Sequence, residues 1–295
     1  MTSRLPPLPY PFDRPWPLAP AVELACVLEA SAAKIGNVHP QANFADMGFS
    51  HFVASAIAIR PIFEQATEQS LGQLVLQSVV ATRAVVPCNT NLGTLLLFAP
   101  LAKAHGLIAA PGGSLPQRLA QALNDVGPED SQAVYAAIRA AQPGGLGRVS
   151  QGDVAGPAPD DLRTAMAQAA SRDAVARQYV NDFDDVCHRL LPWLQSDLRH
   201  CGDPLEAICR LQLRCLAHEV DGLIVRKAGR DVADEVQRQA GDLLEASLAS
   251  DQAVATRPQV QQLDAFLRGD GHRRNPGTTA DLIAATLLAM LLEPN

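Results

Sequence analysis

Residues 91–105 read Asn-Leu-Gly-Thr-Leu-Leu-Leu-Phe-Ala-Pro-Leu-Ala-Lys-Ala-His, an apolar run that opens on Asn91 and Gly93 and closes at Gly106. It is too long for an ordinary strand and rich in Leu and Ala, so it reads as a buried helix. The stretch Leu282 to Leu292 reads the same way, being about half the roughly 20 residues that span a bilayer. Working outward, Leu24, Val27, Leu28 and Ser31 fall at i, i+3, i+4 and i+7, one face of a helix that Gly36 ends. Phe52, Ala56 and Ile59 stripe a helix over 49–66, and Pro87 stops another over 71–86. Further helices are expected over 115–124, 131–141, 205–219, 231–250, 260–267 and 279–293. Asp160 or Asp161 caps one more, running through Met166 toward Tyr179. Alternating β-branched runs are almost absent. The pattern predicts an all-α protein, one compact domain of roughly ten to twelve helices.

Composition narrows the function classes. The 295 residues carry 24 Lys+Arg against 31 Asp+Glu, a net charge of −7, which argues against a general nucleic-acid binder. At 4% aromatic the chain has little with which to build base-stacking platforms. At 47% hydrophobic it can bury a large core of Ala, Leu, Val and Ile. Residues 1–20 are proline-rich (PPLPYPFDRPWPLAP over 6–20) and are expected to drape over a helical domain spanning 21–295. They lack a signal-peptide apolar core, and no stretch is long enough to cross a membrane. The six cysteines form no CxxC pair, so reduced thiols in a cytoplasmic protein are expected. Cys209, Cys215 and His218 are read as core packing rather than zinc ligands, there being no second closely spaced pair.

No P-loop, HExxH or GxSxG signature is present. Gly145 and Gly147 could admit a phosphate or simply make a loop. More telling are polar clusters at helix ends: Glu29 and Lys34 to Pro40 with Asp46, then Cys88 to Gly93, then Asn275 to Asp281. Together they could cradle a polyphosphate, or they are ordinary N-caps. Asp182, Asp184 and Asp185 form a charge run of the kind that usually faces solvent, of which only Asp185 is kept as a candidate.

These same segments resemble, in order, the motifs of the triphosphoribosyl-dephospho-CoA synthase family. Glu29, Lys34-Ile35-Gly36-Asn37-Val38-His39-Pro40 and Asp46-Met47 are similar to its opening motif, and Asn89-Thr90-Asn91-Leu92-Gly93 to its Thr-Asn-x-Gly element. Residues 173–186 resemble a middle helix. His218-Glu219-Val220-Asp221 with Val225-Arg226-Lys227-Ala228-Gly229 resembles the Asp…Arg-x-x-Gly element, and Asn275-Pro276-Gly277-Thr278-Thr279-Ala280-Asp281 the closing motif. The chain departs from the family at Ile35, where Pro is usual, and at Gly222, where a hydroxyl or amide residue is common. The Asn-Val-His-Pro variant is nearest the branch found with tetrahydromethanopterin-linked one-carbon genes.

The resemblance implies transfer of the 5-triphosphoribosyl group of ATP to a hydroxyl acceptor, 3′-dephospho-CoA or a related coenzyme precursor, with release of adenine. It implies Glu29, Asp46 and Asp221 as catalytic carboxylates, and Asp46, Asp221 and Asp281 as Mg²⁺ ligands. Lys34, Asn89, Asn91, Gly93, Arg226, Lys227, Asn275 and Gly277 are the implied substrate contacts. The alternative is a helical nucleotide- or pterin-binding protein of one-carbon cofactor synthesis that has lost the reaction. Neither reading calls for a nucleic-acid or membrane partner, and a homodimer is compatible with both.

Overall fold

The computed structural model describes residues 7–107, 113–143, 154–249 and 252–294. Among them the chain is all-helical, with one isolated bridge between His39 and Ala42 and no strand. The helices are α1 (Leu18–Ser31), α2 (Phe49–Glu64), α3 (Leu71–Val85), α4 (Leu92–Gly106), α5 (Leu115–Asn124), α6 (Pro128–Ala141) and α7 (Leu162–Ala169). They continue with α8 (Ala174–Val180), α9 (Leu191–Cys201), α10 (Pro204–His218), α11 (Gly222–Ala228), α12 (Arg230–Leu248), α13 (Pro258–Arg268) and α14 (Gly277–Leu292). Val254–Thr256 forms a 3₁₀ turn, and Asp185–Leu190 a π-helical turn leading into α9.

The count exceeds the expectation for physical reasons. The helix expected from Asp161 toward Tyr179 is two helices, because the Asp173 carboxylate takes the N–H groups of Val175 and Ala176 and restarts the chain as α8. α9 and α11 were not expected from the pattern. α1 ends at Ser31, so Lys34 lies in the turn beyond it and not on the helix. The loop containing Gly145 and Gly147 lies outside the described residues.

α14 is the centre of the fold. It is apolar on every face, with residues 282–292 all buried, and it packs against α1, α4 and α10. α4 is almost as deeply set, and Pro100 lies within it. α2, α3 and α6 build outward from α1 on one side, while α12 covers α10 on the other. Residues 7–17 are tied to this body: Phe12 is buried, and the Trp16 backbone N–H donates to the Leu291 carbonyl at 2.9 Å. All six cysteines are free, and burial pushes the Cys209 and Cys215 thiols up to about 12. Those thiols are inert core groups. None of the described helices is long and apolar enough to cross a membrane.

Candidate functional site

The N-terminal turns of α4 and α14 meet side by side. Thr94 Oγ1 donates to Asp281 Oδ1 at 2.8 Å, joining residues far apart in the chain. Beside it, a Cβ on Gly93 would lie 2.1 Å from Asp281 Oδ2, so glycine is what allows the carboxyl group to sit there. Burial is the main cause that pushes the Asp281 pKa up, to about 8. The Thr94 hydrogen bond opposes it, while the charges of Glu29, Asp173 and Asp221 add to it. Four carboxyl groups from α1, the α8 cap, the α11 cap and α14 therefore share one neighbourhood.

Glu29 lines a small concavity with Ser55, Thr90, Asn91 and Thr94. Its floor is tied together: Ser55 Oγ lies 2.6 Å from Thr90 Oγ1, and Asn91 Nδ2 donates to Thr82 Oγ1 at 3.1 Å. Asn91 stands at the N-cap of α4 without a side-chain capping bond, and it is Asn89 Oδ1 that accepts the Leu92 N–H at 3.1 Å.

Lys34, expected as a phosphate contact, is only 1% exposed. Its ammonium sits 2.9 Å from Glu29 Oε1 and also bonds the Glu29 carbonyl. It therefore faces a carboxylate rather than open space. The turn that follows is held from below. Gln212 of α10 bonds Ile35 N, Ile35 O and Asn37 Oδ1, each at 2.8 Å, and Asp264 of α13 takes Gly36 N–H at 2.7 Å. Gly36 has a φ of 70° and its Cβ position is filled by Leu267, so this turn needs glycine.

Asp221, expected as a catalytic and metal-binding carboxylate, is 4% exposed and fully engaged. Oδ1 accepts Leu223 N–H (2.8 Å) and Ile224 N–H (3.2 Å), capping α11. Oδ2 accepts the N–H (2.7 Å) and hydroxyl (2.8 Å) of Thr279, tying α11 to the start of α14. Those four donors use the lone pairs a metal would need. Burial nonetheless raises its pKa.

The remaining candidates form the rim. Lys227 Nζ donates to Asn275 Oδ1 (3.2 Å) and to the His272 carbonyl (3.3 Å), and its pKa is lowered by burial first and by Arg226 second. Asp46 is exposed and lies 3.1 Å from His272 Nδ1. Arg226 is paired with Asp173 at 2.5 Å. Gly277 starts α14 with a Cβ position 2.5 Å from Leu223, so close helix packing requires it.

The structure thus gathers Glu29, Asn91, Gly93, Asp221, Lys227, Asn275, Gly277 and Asp281 around the ends of α4, α11 and α14, with Asp46 and Arg226 at the edge. Asp185 lies apart from that group, in a cluster on Arg177, Gln178, Asn181 and Arg189, rather than on a solvated face. Sequence reasoning missed Asp173, Thr94, Thr279 and His272. Of these Asp173 carried a signal, an N-cap residue inside a helical pattern. No three His, Cys, Asp or Glu side chains among the described residues converge to cage a metal. Mg²⁺ fits instead in its common mode, with one or two carboxylates and the rest supplied by phosphates and water. Asp281 Oδ2 and Glu29 Oε2 accept no hydrogen bond among the described residues, and Asp46 is exposed; of these, Asp281 and Asp46 are the carboxylates not held by a cation.

The family model described as CitG, ATP:dephospho-CoA triphosphoribosyl transferase, matches residues 15–295. A crystal structure of a protein from Archaeoglobus fulgidus, assigned as a triphosphoribosyl-dephospho-CoA synthase, superposes with a TM-score of 0.62 at 25% identity. It covers 81% of this chain and 98% of its own. Among curated proteins nothing matches the chain.

Proposed function

Because the chain belongs to the CitG family, we propose that it transfers the 5-triphosphoribosyl group of ATP to a hydroxyl of 3′-dephospho-CoA, at the junction of α4, α11 and α14. The observation that carries this reading is the set of carboxyl groups around Asp281, where the N-termini of α4 and α14 meet, with Arg226 (paired to Asp173) and Lys227 in the last turn of α11 near them. In the reaction the bond from ribose C1 to the adenine nitrogen breaks and the acceptor oxygen bonds C1. The acceptor hydroxyl proton is removed and adenine leaves carrying a proton. Positive charge grows on C1 as the glycosidic bond lengthens, so a fixed carboxylate beside it lowers the barrier.

Glu29 is suited to that place, or to taking the hydroxyl proton, because it lines the concavity with Thr90, Asn91 and Thr94. Lys34 acts behind it, holding the carboxylate in one orientation. Asn89 and Asn91 order the α4 N-terminus, and Asn275 orients Lys227. Arg226 and Lys227, at the end of α11 beside Asn275, are assigned to the triphosphate. Asp281 and Asp46 are the residues that would hold Mg²⁺, which would neutralise phosphate charge. The substrates support a cytoplasmic location. The alternative, a binding protein without the reaction, is not favoured, since the match to transferases runs along almost the whole chain.

The test is to incubate the pure protein with ATP and Mg²⁺, with and without 3′-dephospho-CoA, and to quantify free adenine by chromatography. Acceptor-dependent adenine release is expected. Binding of ATP with no adenine under either condition would favour the alternative.

A further inference from the structure

α8 and the segment it faces show a second layer of organisation. Asp173, the α8 cap, pairs through Oδ2 with Arg226 of α11. One turn later Arg177 bonds both oxygens of Glu219, at 2.7 and 2.8 Å. Between these two points a Cβ on Gly222 would sit 2.7 Å from the Arg172 carbonyl, so the N-terminus of α11 rests directly on the backbone leading into α8. α8 therefore grips the 219–226 segment at both ends with no slack between.

Arg177 is itself fixed from the other side. Its Nε donates to Asp185 at 2.8 Å, and Asp185 also accepts from Gln178 (2.6 Å), Asn181 (3.3 Å) and Arg189 (2.7 Å). Burial opposes ionisation of Asp185, yet Arg177 and Gln178 hold its pKa below the ordinary value. Asp185 reaches this position only because the chain turns through two left-handed non-glycine residues, Asp182 (φ 54°) and Phe183 (φ 64°), into the π-helical turn. Both features are uncommon and persist where surrounding contacts require them.

We infer that Arg177 is a positioning residue for the triphosphate, clamping the 219–226 segment so that Arg226 and Lys227 are presented at the rim. The inference rests on the transferase reading for what those cations bind. It needs a planar guanidinium: one nitrogen serves Asp185 while another takes Glu219 through both oxygens, a geometry one ammonium cannot copy.

The experiment uses the full chain with inorganic tripolyphosphate as the probe, measured by calorimetry, beside steady-state adenine release. Arg177→Met is expected to keep the helical circular-dichroism signal. It should weaken tripolyphosphate binding and raise KM for ATP by about 10-fold or more, leaving KM for 3′-dephospho-CoA within about twofold. Arg177→Lys should recover only part of the loss. Unchanged tripolyphosphate affinity in folded Arg177→Met overturns the inference, as does an equal rise in KM for both substrates. If Arg177→Met does not fold, Glu219→Gln decides. It keeps an acceptor for Arg177 but removes the charge, and it should weaken tripolyphosphate binding about threefold or more, no change overturning the clamp. A wild-type protein that releases no adenine but loses tripolyphosphate binding on Arg177→Met removes the transferase reading and leaves the clamp standing.

Discussion

Replacing Gly93 by Ala puts one methyl group where Asp281 now sits. The added Cβ would lie 2.1 Å from Oδ2 and 2.5 Å from the carboxyl carbon, whereas such contacts essentially never fall under 3.0 Å. Neither partner is at the free end of a long side chain. Gly93 is in the first turn of buried α4, and Asp281 is held by Thr94. The carboxyl group must move by about 1 Å, and a displacement of that size at a reacting centre costs on the order of 10²-fold in rate, or about 2.7 kcal/mol. Overpacking itself should cost about 1–3 kcal/mol of stability, a fall of several degrees in Tm. The assay is kcat/KM for acceptor-dependent adenine release, read beside the circular-dichroism melt. Asp281→Asn should lose a comparable factor without the steric strain. The double variant should be little worse than either alone, since both changes remove one function. Wild-type kcat/KM in Gly93→Ala, with Asp281→Asn impaired, would refute the reasoning.

Glu29→Gln should lower kcat by about 10²-fold or more with ATP affinity nearly unchanged, as expected of a group acting mainly in the transition state; turnover within twofold of wild type assigns Glu29 to Lys34 alone. Asp281 bears on pH: its folded pKa is raised from the usual carboxylate value to about 8, so the folded state binds the extra proton between about pH 4 and 8. Stability from this group is then present at low pH and lost as pH rises toward 8; Tm of the wild type should fall over that window more than Tm of Asp281→Asn, and parallel curves would count against it. Asp221→Asn turns an acceptor into an N–H₂ group facing either Thr279 or the α11 N–H groups, and should cost about 2–3 kcal/mol, read as a urea midpoint shift. ATP affinity measured by calorimetry should drop at least tenfold in EDTA; equal affinity removes Mg²⁺ from the site.

Much of this arrangement was legible because helix caps and apolar periods are local. Pro87 and Gly106 bracket α3 and α4 close to where they were expected, and the polar clusters at Asn89 and Asn275 do start helices. What was illegible depends on distant partners. Lys34 at the end of an apolar pattern reads as a free cation, and only folding shows α1 supplying Glu29 to bury it. Asp221 reads as a reactive carboxylate until Thr279, brought from far along the chain, fills its second oxygen. The left-handed pair Asp182–Phe183 has no signature in residue types, since Phe disfavours that backbone.

The central place of α14 has a kinetic consequence. Its first turn completes the site only by meeting α4 through Thr94 and α11 through Asp221, and its flanks are filled by α1 and α10. Closing so long a loop is slow relative to helix formation, so α1 to α13 can coil and associate locally before α14 docks. Refolding followed by far-ultraviolet signal should then run ahead of recovered turnover. Intermediates of that stage would show near-native helix content around a long apolar trough, a surface prone to self-association.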